Sequence, residues 1–193
     1  AFNIFYYKLG TSFDLKIKGE DVLPCDRETI KLVFWARADF YYKGIDRALS
    51  AIKALKEDGE KEMPPIKLFV VGPDYNNGYD KIRSFTTDNG LDDLVQIITP
   101  SEYTNGTYGL LNDADAVILL SRWDGYPRTF REAFSLGIPI IASPESNFDI
   151  PIYVYNGGWV VKDTEDLRLL LRQLNFNVIQ EKRQNIAPYF NLH

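Results

Sequence analysis

The stretch that decides the fold is SRWDGYPRTFREAFSLGIPIIAS, residues 121–143. Its early part, Asp124-Gly125-Tyr126-Pro127, has the composition of a tight turn. A helix is predicted from about Thr129, because Thr129 followed by Glu132 forms a capping-box pattern. The apolar run 138–142 then predicts a strand, with its proline near the start, where a sheet tolerates it. The stretch therefore indicates a turn, a helix and a strand in quick succession.

The same alternation of strands and helices extends outward through the rest of the chain. Further strands are predicted from short apolar runs at 31–36, 66–71, 94–98, 116–120 and 159–161. Helices are predicted from Ile45, near 79–89, near 107–113 and from Asp163 or Thr164. Apolar strands alternating with helices are typical of βαβ units on a parallel sheet that is covered on both faces. We therefore expect an α/β protein, a Rossmann-like three-layer sandwich with a mostly parallel sheet.

The domain organisation follows from where this alternation begins and ends. Residues 1–30 do not fit it and are interpreted as an opening strand and linker. Residues 31–175 are predicted to form the Rossmann-like domain. The mixed polarity of 176–193 indicates a C-terminal tail or docking segment.

Composition excludes several classes of function. The chain has 193 residues, with 22 Lys and Arg against 27 Asp and Glu, a net charge of −5. This balance argues against a nucleic-acid protein that grips phosphates over a broad basic face. Cys25 is the only cysteine and His193 the only histidine, which argues against a disulfide, a zinc cluster or a Ser-His-Asp triad. No apolar run approaches the roughly 20 residues of a membrane helix.

Two loops at the predicted carboxyl ends of the strands, where such folds bind ligands, carry the chemistry of a binding site. Arg37 and Lys43 flank a strand-to-helix loop, and two cations near a helix N-terminus suit a pyrophosphate group. The turn at Gly125 leads into a second helix N-terminus, which is another anion site. Asp124 and Glu132 flank that turn, and carboxylates bind sugar hydroxyls by charge-assisted hydrogen bonds. Together these residues predict a nucleotide-sugar pocket.

Each feature also has a purely structural interpretation. Arg37 and Lys43 could lie on a solvated surface, and Thr129 with Glu132 could be a capping box and nothing more. Gly72-Pro73 is by itself a turn. The candidates for aromatic ligand contact from exposed loops are Tyr41, Tyr42 and Tyr103.

The order of these motifs resembles the retaining glycosyltransferases of family 4, which have the GT-B fold. The signature of that family is an acidic residue and a later Glu, then a helix, Gly-x-Pro and a strand. The matching residues are Ser121, Asp124-Gly125-Tyr126-Pro127, Glu132-Ala133-Phe134 and Gly137-Ile138-Pro139. Weaker matches lie upstream, at Phe34-Trp35-Ala36-Arg37, Lys43-Gly44-Ile45-Asp46, Leu68-Phe69-Val70-Val71-Gly72 and 9–14.

The resemblance implies a role for each matching charged residue. Arg37 and Lys43 would hold the donor diphosphate and stabilise the charge of the leaving group. Asp124, in the place of the first Glu of the signature, would contact the donor sugar. Asp124, Arg37 and Lys43 are therefore the expected catalytic residues. Glu132 would bind the ribose hydroxyls.

The remaining implied contacts come from turns and loops. Gly125, Tyr126 and the helix start at Thr129 would meet the sugar and the phosphate. Gly72 and the 99–103 loop, including Tyr103, would border the base. The implied donor is a UDP-sugar or GDP-sugar, and no metal or other cofactor is required.

A GT-B enzyme has two Rossmann-like domains, and all the matching segments belong to the carboxyl-terminal, donor-binding one. We therefore expect an acceptor domain, either N-terminal to it in a longer chain or in a partner subunit, and an inactive isolated chain. The family implies polysaccharide or glycoconjugate assembly in the cytoplasm, with peripheral membrane contact through the missing half. The alternatives are a non-catalytic or split-subunit GT-B-like binding module, and a nucleotide-sugar epimerase-like domain.

Overall fold

The computed structural model describes residues 23–59, 63–102, 107–125, 127–147, 152–153 and 155–190. The strands are β1 (Ile30–Trp35), β2 (Ala38–Asp39), β3 (Ile66–Val71), β4 (Asp74–Tyr75), β5 (Val95–Ile98), β6 (Ala116–Leu119), β7 (Ile140–Ala142) and β8 (Gly158–Val160). The helices are α1 (Ile45–Glu57), α2 (Gly78–Asp88), α3 (Thr107–Asn112), α4 (Arg128–Ser135), α5 (Thr164–Gln173) and α6 (Phe176–Phe190), with a 3₁₀ turn at Pro144–Ser146.

Six strands form one parallel sheet in the order β5-β3-β1-β6-β7-β8. Taken in chain order, these six strands have the 3-2-1-4-5-6 order of a doubly wound Rossmann fold. The predicted α/β sandwich with a mostly parallel sheet is therefore confirmed. The strand order reverses between β1 and β6, which pair in register at Leu32 with Ala116 and Val33 with Val117.

The sheet is buried on both faces because its strands are apolar at nearly every position. Phe34 and Phe69 are fully buried in adjacent strands, and Trp35 is 8% exposed, as expected for core residues. The predicted apolar face of α1 is also confirmed, since Ile45, Ala48, Leu49, Ile52 and Leu55 are all buried. These residues and the strands of the sheet belong to one hydrophobic core.

A short second ladder extends the sheet region beyond the end of β1. β2 pairs in parallel with β4, with Ala38 opposite Asp74 and Asp39 opposite Tyr75. The sequence pattern did not predict these strands, because two residues are too few to show periodicity. The ladder carries the loops after β1 and β3 outward together, side by side.

The start of α4 lies before Thr129, so the capping box predicted at Thr129 and Glu132 is wrong. The helix begins at Arg128 with Pro127 as its N-cap, and no side-chain hydrogen bond caps it. Pro127 has the extended conformation that an N-cap needs and no N–H to satisfy, so the first turn forms one residue earlier. Thr129 is thus the second helical residue.

The other end of α4 is a Schellman motif. Gly137 has φ of +71°, and its N–H donates to the Phe134 carbonyl at 3.0 Å. The Ile138 N–H donates to the Ala133 carbonyl at 2.9 Å. Gly137 thus ends the helix in the left-handed conformation that favours glycine.

The segment predicted as a C-terminal tail or docking segment contains α6. Ile179 and Ile186 of this helix are buried, and Arg183 donates to the Ala114 carbonyl at 2.5 Å. Burial lowers the pKa of the Arg183 guanidinium. Helix α6 therefore packs against the amino end of β6. This end of the sheet is opposite to the end that carries the loops after β1 and β6.

Candidate functional site

An open cleft of about 290 Å³ lies where the strand order of the sheet reverses. Its walls are the loops that follow β1, β3 and β6. Ligands of open α/β sheets bind at this kind of switch point, beyond the carboxyl ends of the strands. The lining residues are Arg37, Asp39, Tyr42, Lys43, Tyr75, Asn76, Trp123 and Asp124.

The loop that carries Lys43 is organised by a buried carboxylate. Asp39 is 4% exposed, and its Oδ1 accepts from the Tyr42 N–H at 3.1 Å. The Lys43 N–H donates to the Asp39 carbonyl at 3.2 Å. These bonds form the turn before α1, so that Lys43 is held at the mouth of the cleft.

Gly44 brings this loop against the end of β6. It has φ of +77°, and a Cβ there would lie 2.0 Å from the Leu120 carbonyl oxygen. Only glycine permits both the left-handed conformation and this close approach. The contact fixes the distance between the Lys43 loop and the loop after β6.

Lys43 and Asp124 form an ion pair across the cleft. Lys43 Nζ lies 2.5 Å from Asp124 Oδ2, and their side chains are 21% and 16% exposed. Ser121 Oγ donates to the same carboxylate oxygen at 3.4 Å. Two residues predicted to act in catalysis thus contact each other directly.

The backbone at Asp124 is braced by the loop after β7. Its N–H donates to the Glu145 carbonyl at 3.1 Å, and Asn147 Nδ2 donates to its carbonyl. Ser143 Oγ donates to the Ser121 carbonyl at 2.7 Å. These bonds hold the carboxylate at a defined position, although it lies on an irregular loop.

Arg122 connects the loop after β6 with the loop after β1 and with α1. Its guanidinium binds Asp46 of α1 in a bidentate arrangement at 2.8 and 2.6 Å. Its backbone N–H donates to the Tyr42 carbonyl at 2.9 Å, and its guanidinium lies 3.8 Å from the centroid of the Tyr41 ring. Hydrogen bonds to Asp46 raise the pKa of Arg122, so the clamp stays charged at any ordinary pH.

Arg37 lies earlier in the loop after β1, beside the short ladder. Its guanidinium lies 4.2 Å from the centroid of the Tyr75 ring and 3.3 Å from Asp39 Oδ2. About half of the Arg37 side chain is exposed. The stacking orients the guanidinium while leaving donors free to face the cleft.

Of the predicted site residues, the structure brings Arg37, Lys43 and Asp124 together in the cleft. The lining, as far as the described residues go, does not include Gly72, Gly125, Thr129 or Glu132. Their binding roles stay predictions. Tyr103 and Tyr126 lie outside the described residues.

Gly72 has a structural reason for being glycine. Its φ is +145°, and a Cβ there would lie 2.2 Å from the Ala36 carbonyl oxygen. The loop after β3 thereby packs tightly against the residue that precedes Arg37. This contact positions the wall that carries Arg37.

Tyr75 and Asn76 were not predicted as site residues, because the predicted binding residues of the loop after β3 ended at Pro73. The signal was present, since Gly72-Pro73-Asp74 is turn chemistry that carries the chain outward beyond the sheet. The pairing of β2 with β4, which places Tyr75 beside Arg37, depends on residues far apart in sequence.

The described part of the 99–103 loop is tied by Glu102. Its Oε2 accepts from the N–H and from the hydroxyl of Thr99, both at 2.6 Å. These bonds favour the ionised form and lower the pKa of Glu102. The loop after β5 thus closes on itself next to the sheet edge.

The described residues contain no group of three or more His, Cys, Asp or Glu that could hold a metal ion. None of their helices is both long enough and apolar enough to span a bilayer.

Comparison with known families identifies the relatives of this chain. A family model described as Glycosyl transferases group 1 matches residues 21–189. WcaL of Salmonella typhimurium, a glycosyltransferase assigned to colanic acid biosynthesis, is 24% identical over 166 residues. The alignment covers 77% of this chain and 39% of WcaL.

Solved structures show the same fold. WaaG, a glycosyltransferase involved in lipopolysaccharide biosynthesis, matches with a TM-score of 0.73 and 21% identity, over 87% of this chain and 44% of WaaG. HepE of Anabaena, in complex with UDP and glucose, matches with a TM-score of 0.69 and 14% identity, over 85% of this chain and 44% of HepE. The predicted resemblance to GT-B glycosyltransferases is confirmed, and the chain spans less than half the length of these proteins.

Proposed function

The chain belongs to the Glycosyl transferases group 1 family, and from that premise we propose that it is the nucleotide-sugar binding domain of a glycosyltransferase. The longer protein or complex would transfer a sugar from a nucleoside-diphosphate sugar to a glycan or glycoconjugate. The observation that carries this proposal is the convergence of Arg37, Lys43 and Asp124 in one cleft at the switch point of the sheet.

The two cations suit the diphosphate of such a donor. Arg37 offers a planar set of donors and Lys43 a compact ammonium group, and together they match the charge of two linked phosphates. The HepE structure contains UDP and glucose, which supports a nucleotide and a sugar as the ligand class. UDP-sugars and GDP-sugars remain the two candidate donors.

The proposed reaction retains the configuration of the transferred sugar. The bond between the anomeric carbon and the phosphate oxygen breaks, and the nucleoside diphosphate leaves with the bonding electrons. The acceptor oxygen forms the new bond on the face of the anomeric carbon from which the diphosphate departs, and its proton passes to the departing phosphate oxygen. Arg37 and Lys43 stabilise the charge that develops on the leaving group, without a metal ion.

Asp124 would act on the other side of the breaking bond. Its carboxylate is fixed by the bonds at Ser121, Glu145 and Asn147, so it can orient sugar hydroxyls without a large rearrangement. Glu132 would bind the ribose.

The rest of the enzyme lies in a second domain. Because this chain spans 39% of WcaL and 44% of WaaG, we expect an acceptor domain in the same longer protein or in a partner subunit. The isolated chain would bind the donor weakly and catalyse no transfer. We place the enzyme in the cytoplasm, with any membrane contact made through the acceptor domain.

Titration with UDP, GDP and inorganic pyrophosphate by isothermal calorimetry tests the donor site. We expect Arg37→Ala and Lys43→Ala each to weaken UDP or GDP binding by about 10-fold or more, since each removes a charge-assisted hydrogen bond. Lys53→Ala is the matched control, because Lys53 pairs with Glu57 on the exposed side of α1 at 3.8 Å. If neither nucleotide binds at millimolar concentration, the proposal fails.

Glu132→Ala separates the ribose role from a structural one. A ribose ligand predicts weaker nucleotide binding with unchanged affinity for inorganic pyrophosphate, which has no ribose. A variant that unfolds instead would favour a structural role of Glu132 in α4.

A further inference from the structure

An aromatic rim borders the cleft on the side of the Lys43–Asp124 ion pair. We define it as Tyr41, Tyr42 and Trp123, whose side chains are 57%, 61% and 79% exposed. Tyr42 directly precedes Lys43, and Trp123 directly precedes Asp124. Each residue of the ion pair thus has an exposed aromatic neighbour that also lines the cleft.

Tyr41 and Tyr42 of the rim are held in place, although both are exposed. The Tyr42 carbonyl accepts from the Arg122 N–H at 2.9 Å, so the two wall segments are joined backbone to backbone. Arg122 stacks 3.8 Å from the Tyr41 ring centroid while its guanidinium is fixed on Asp46. The Tyr41 and Tyr42 rings meet edge to face at 5.5 Å. Rigid aromatic side chains lose little conformational entropy when they bind a ligand.

Exposed aromatic groups beside a polar site point to a ligand with both apolar and polar faces. A pyranose ring has this character, because its C–H face stacks on an aromatic ring while its hydroxyls form hydrogen bonds. The polar groups between the aromatics, Lys43 and Asp124, differ from the apolar centre of a protein–protein interface.

We propose that Tyr42 and Trp123 form a stacking platform for a pyranose unit of the acceptor glycan, an inference that rests on the proposed donor site. The acceptor oxygen has to approach the donor sugar beside Asp124, and the platform borders that carboxylate. The chain thereby contributes to acceptor recognition, in addition to the contribution of the acceptor domain. Tyr41 and Arg122 act as positioning residues for the platform.

The test uses a panel of soluble linear oligosaccharides of glucose, galactose, mannose and N-acetylglucosamine, with and without saturating UDP or GDP. Binding is measured by saturation-transfer NMR and by quenching of tryptophan fluorescence. We expect at least one oligosaccharide to bind, and Trp123→Ala and Tyr42→Ala each to weaken that binding by about fivefold or more. The nucleotide affinity of each variant is measured in parallel with its oligosaccharide affinity.

The matched control is Tyr153→Ala, because Tyr153 is 68% exposed and does not line the cleft. It should leave oligosaccharide binding unchanged. The platform is refuted if no oligosaccharide binds while nucleotide does, or if Trp123→Ala binds as well as the parent chain. Trp123-dependent binding to anionic lipid vesicles, or Trp123-dependent self-association, without oligosaccharide binding would assign the rim to another partner. Loss of nucleotide binding in the parent chain would instead refute the donor site, independently of the oligosaccharide result.

Discussion

The ion pair between Lys43 and Asp124 leads to a counterintuitive prediction, namely that removing the Asp124 charge should tighten diphosphate binding. The Lys43 ammonium is 2.5 Å from the Asp124 carboxylate. A diphosphate has to draw Lys43 away from this partner and also approach the negative charge of Asp124. Asp124→Asn removes both obstacles while keeping the shape of the side chain and an oxygen that can accept from Ser121.

The magnitude follows from the burial of the pair. Fully exposed ion pairs contribute about 0.2–1 kcal/mol, and hydrogen bonds to charged groups contribute about 1.5–3 kcal/mol. With side chains 21% and 16% exposed, the pair lies between these cases. Removing it should therefore make the free energy of diphosphate binding more favourable by about 1–2 kcal/mol. Inorganic pyrophosphate and UDP should both bind to Asp124→Asn about 5- to 30-fold more tightly.

Isothermal calorimetry on four proteins measures this effect: the parent chain, Lys43→Ala, Asp124→Asn and the double variant. The double-mutant cycle isolates the coupling between the two side chains. The part of the gain that comes from freeing Lys43 should vanish in the double variant, because Lys43 is then absent, whereas the relief of repulsion by Asp124 should remain. The reasoning is refuted if Asp124→Asn binds pyrophosphate no more tightly than the parent chain, or if the full gain persists without Lys43.

Three further predictions concern the framework of the site. Gly44→Ala should lower the free energy of unfolding, measured by denaturant titration, by about 3 kcal/mol or more, and Gly137→Ala by about 1 kcal/mol. Both glycines have a left-handed backbone, but only at Gly44 would an added Cβ collide with a carbonyl oxygen. Equal losses in the two variants would contradict the close contact. Asp46→Asn should weaken UDP binding several-fold, because Asp46 holds the loop after β6 through Arg122. The dependence of UDP affinity on ionic strength should stay unchanged, and an altered dependence would indicate a direct electrostatic role of Asp46. The hydrogen bonds from Thr99 lower the pKa of Glu102 in the folded state, so the stabilisation that Glu102 gives its loop is complete above the unfolded pKa of about 4.3 and is lost as the pH falls through the lower folded value. The NMR shift of the Thr99 amide should therefore titrate with a midpoint below about pH 4.3. A midpoint at or above this pH would contradict the hydrogen bonds.

Much of the fold could be predicted because its signal is local. The spacing of Ile45, Ala48, Leu49, Ile52 and Leu55 predicted the buried face of α1, and every one of them is buried. The main strands follow apolar runs that are long enough to show their period. The capping box at Thr129 failed because Pro127, two positions earlier, is the N-cap of the helix, and local patterns do not distinguish between neighbouring starts.

The candidate site divides in the same way. Arg37, Lys43 and Asp124 were predicted because the carboxyl ends of parallel strands share one edge of a sheet. Tyr75 and Asn76 were missed because they reach the cleft through a two-residue ladder. The proposed platform of Tyr42 and Trp123 depends on a backbone hydrogen bond between the two loops.

The sequence by itself determined the order of the main strands and of the helices up to α5, the buried face of α1, and the residue types available for binding a diphosphate and a sugar. Hydrophobic periodicity and turn chemistry act over a few residues, so they can be read directly along the chain. The tertiary structure alone decided that the strand order reverses between β1 and β6. It also decided that Lys43 pairs with Asp124, whose position lies 81 residues further along the chain. Such contacts depend on how the strands pair and where Gly44 allows two loops to touch, and both are properties of the packed sheet.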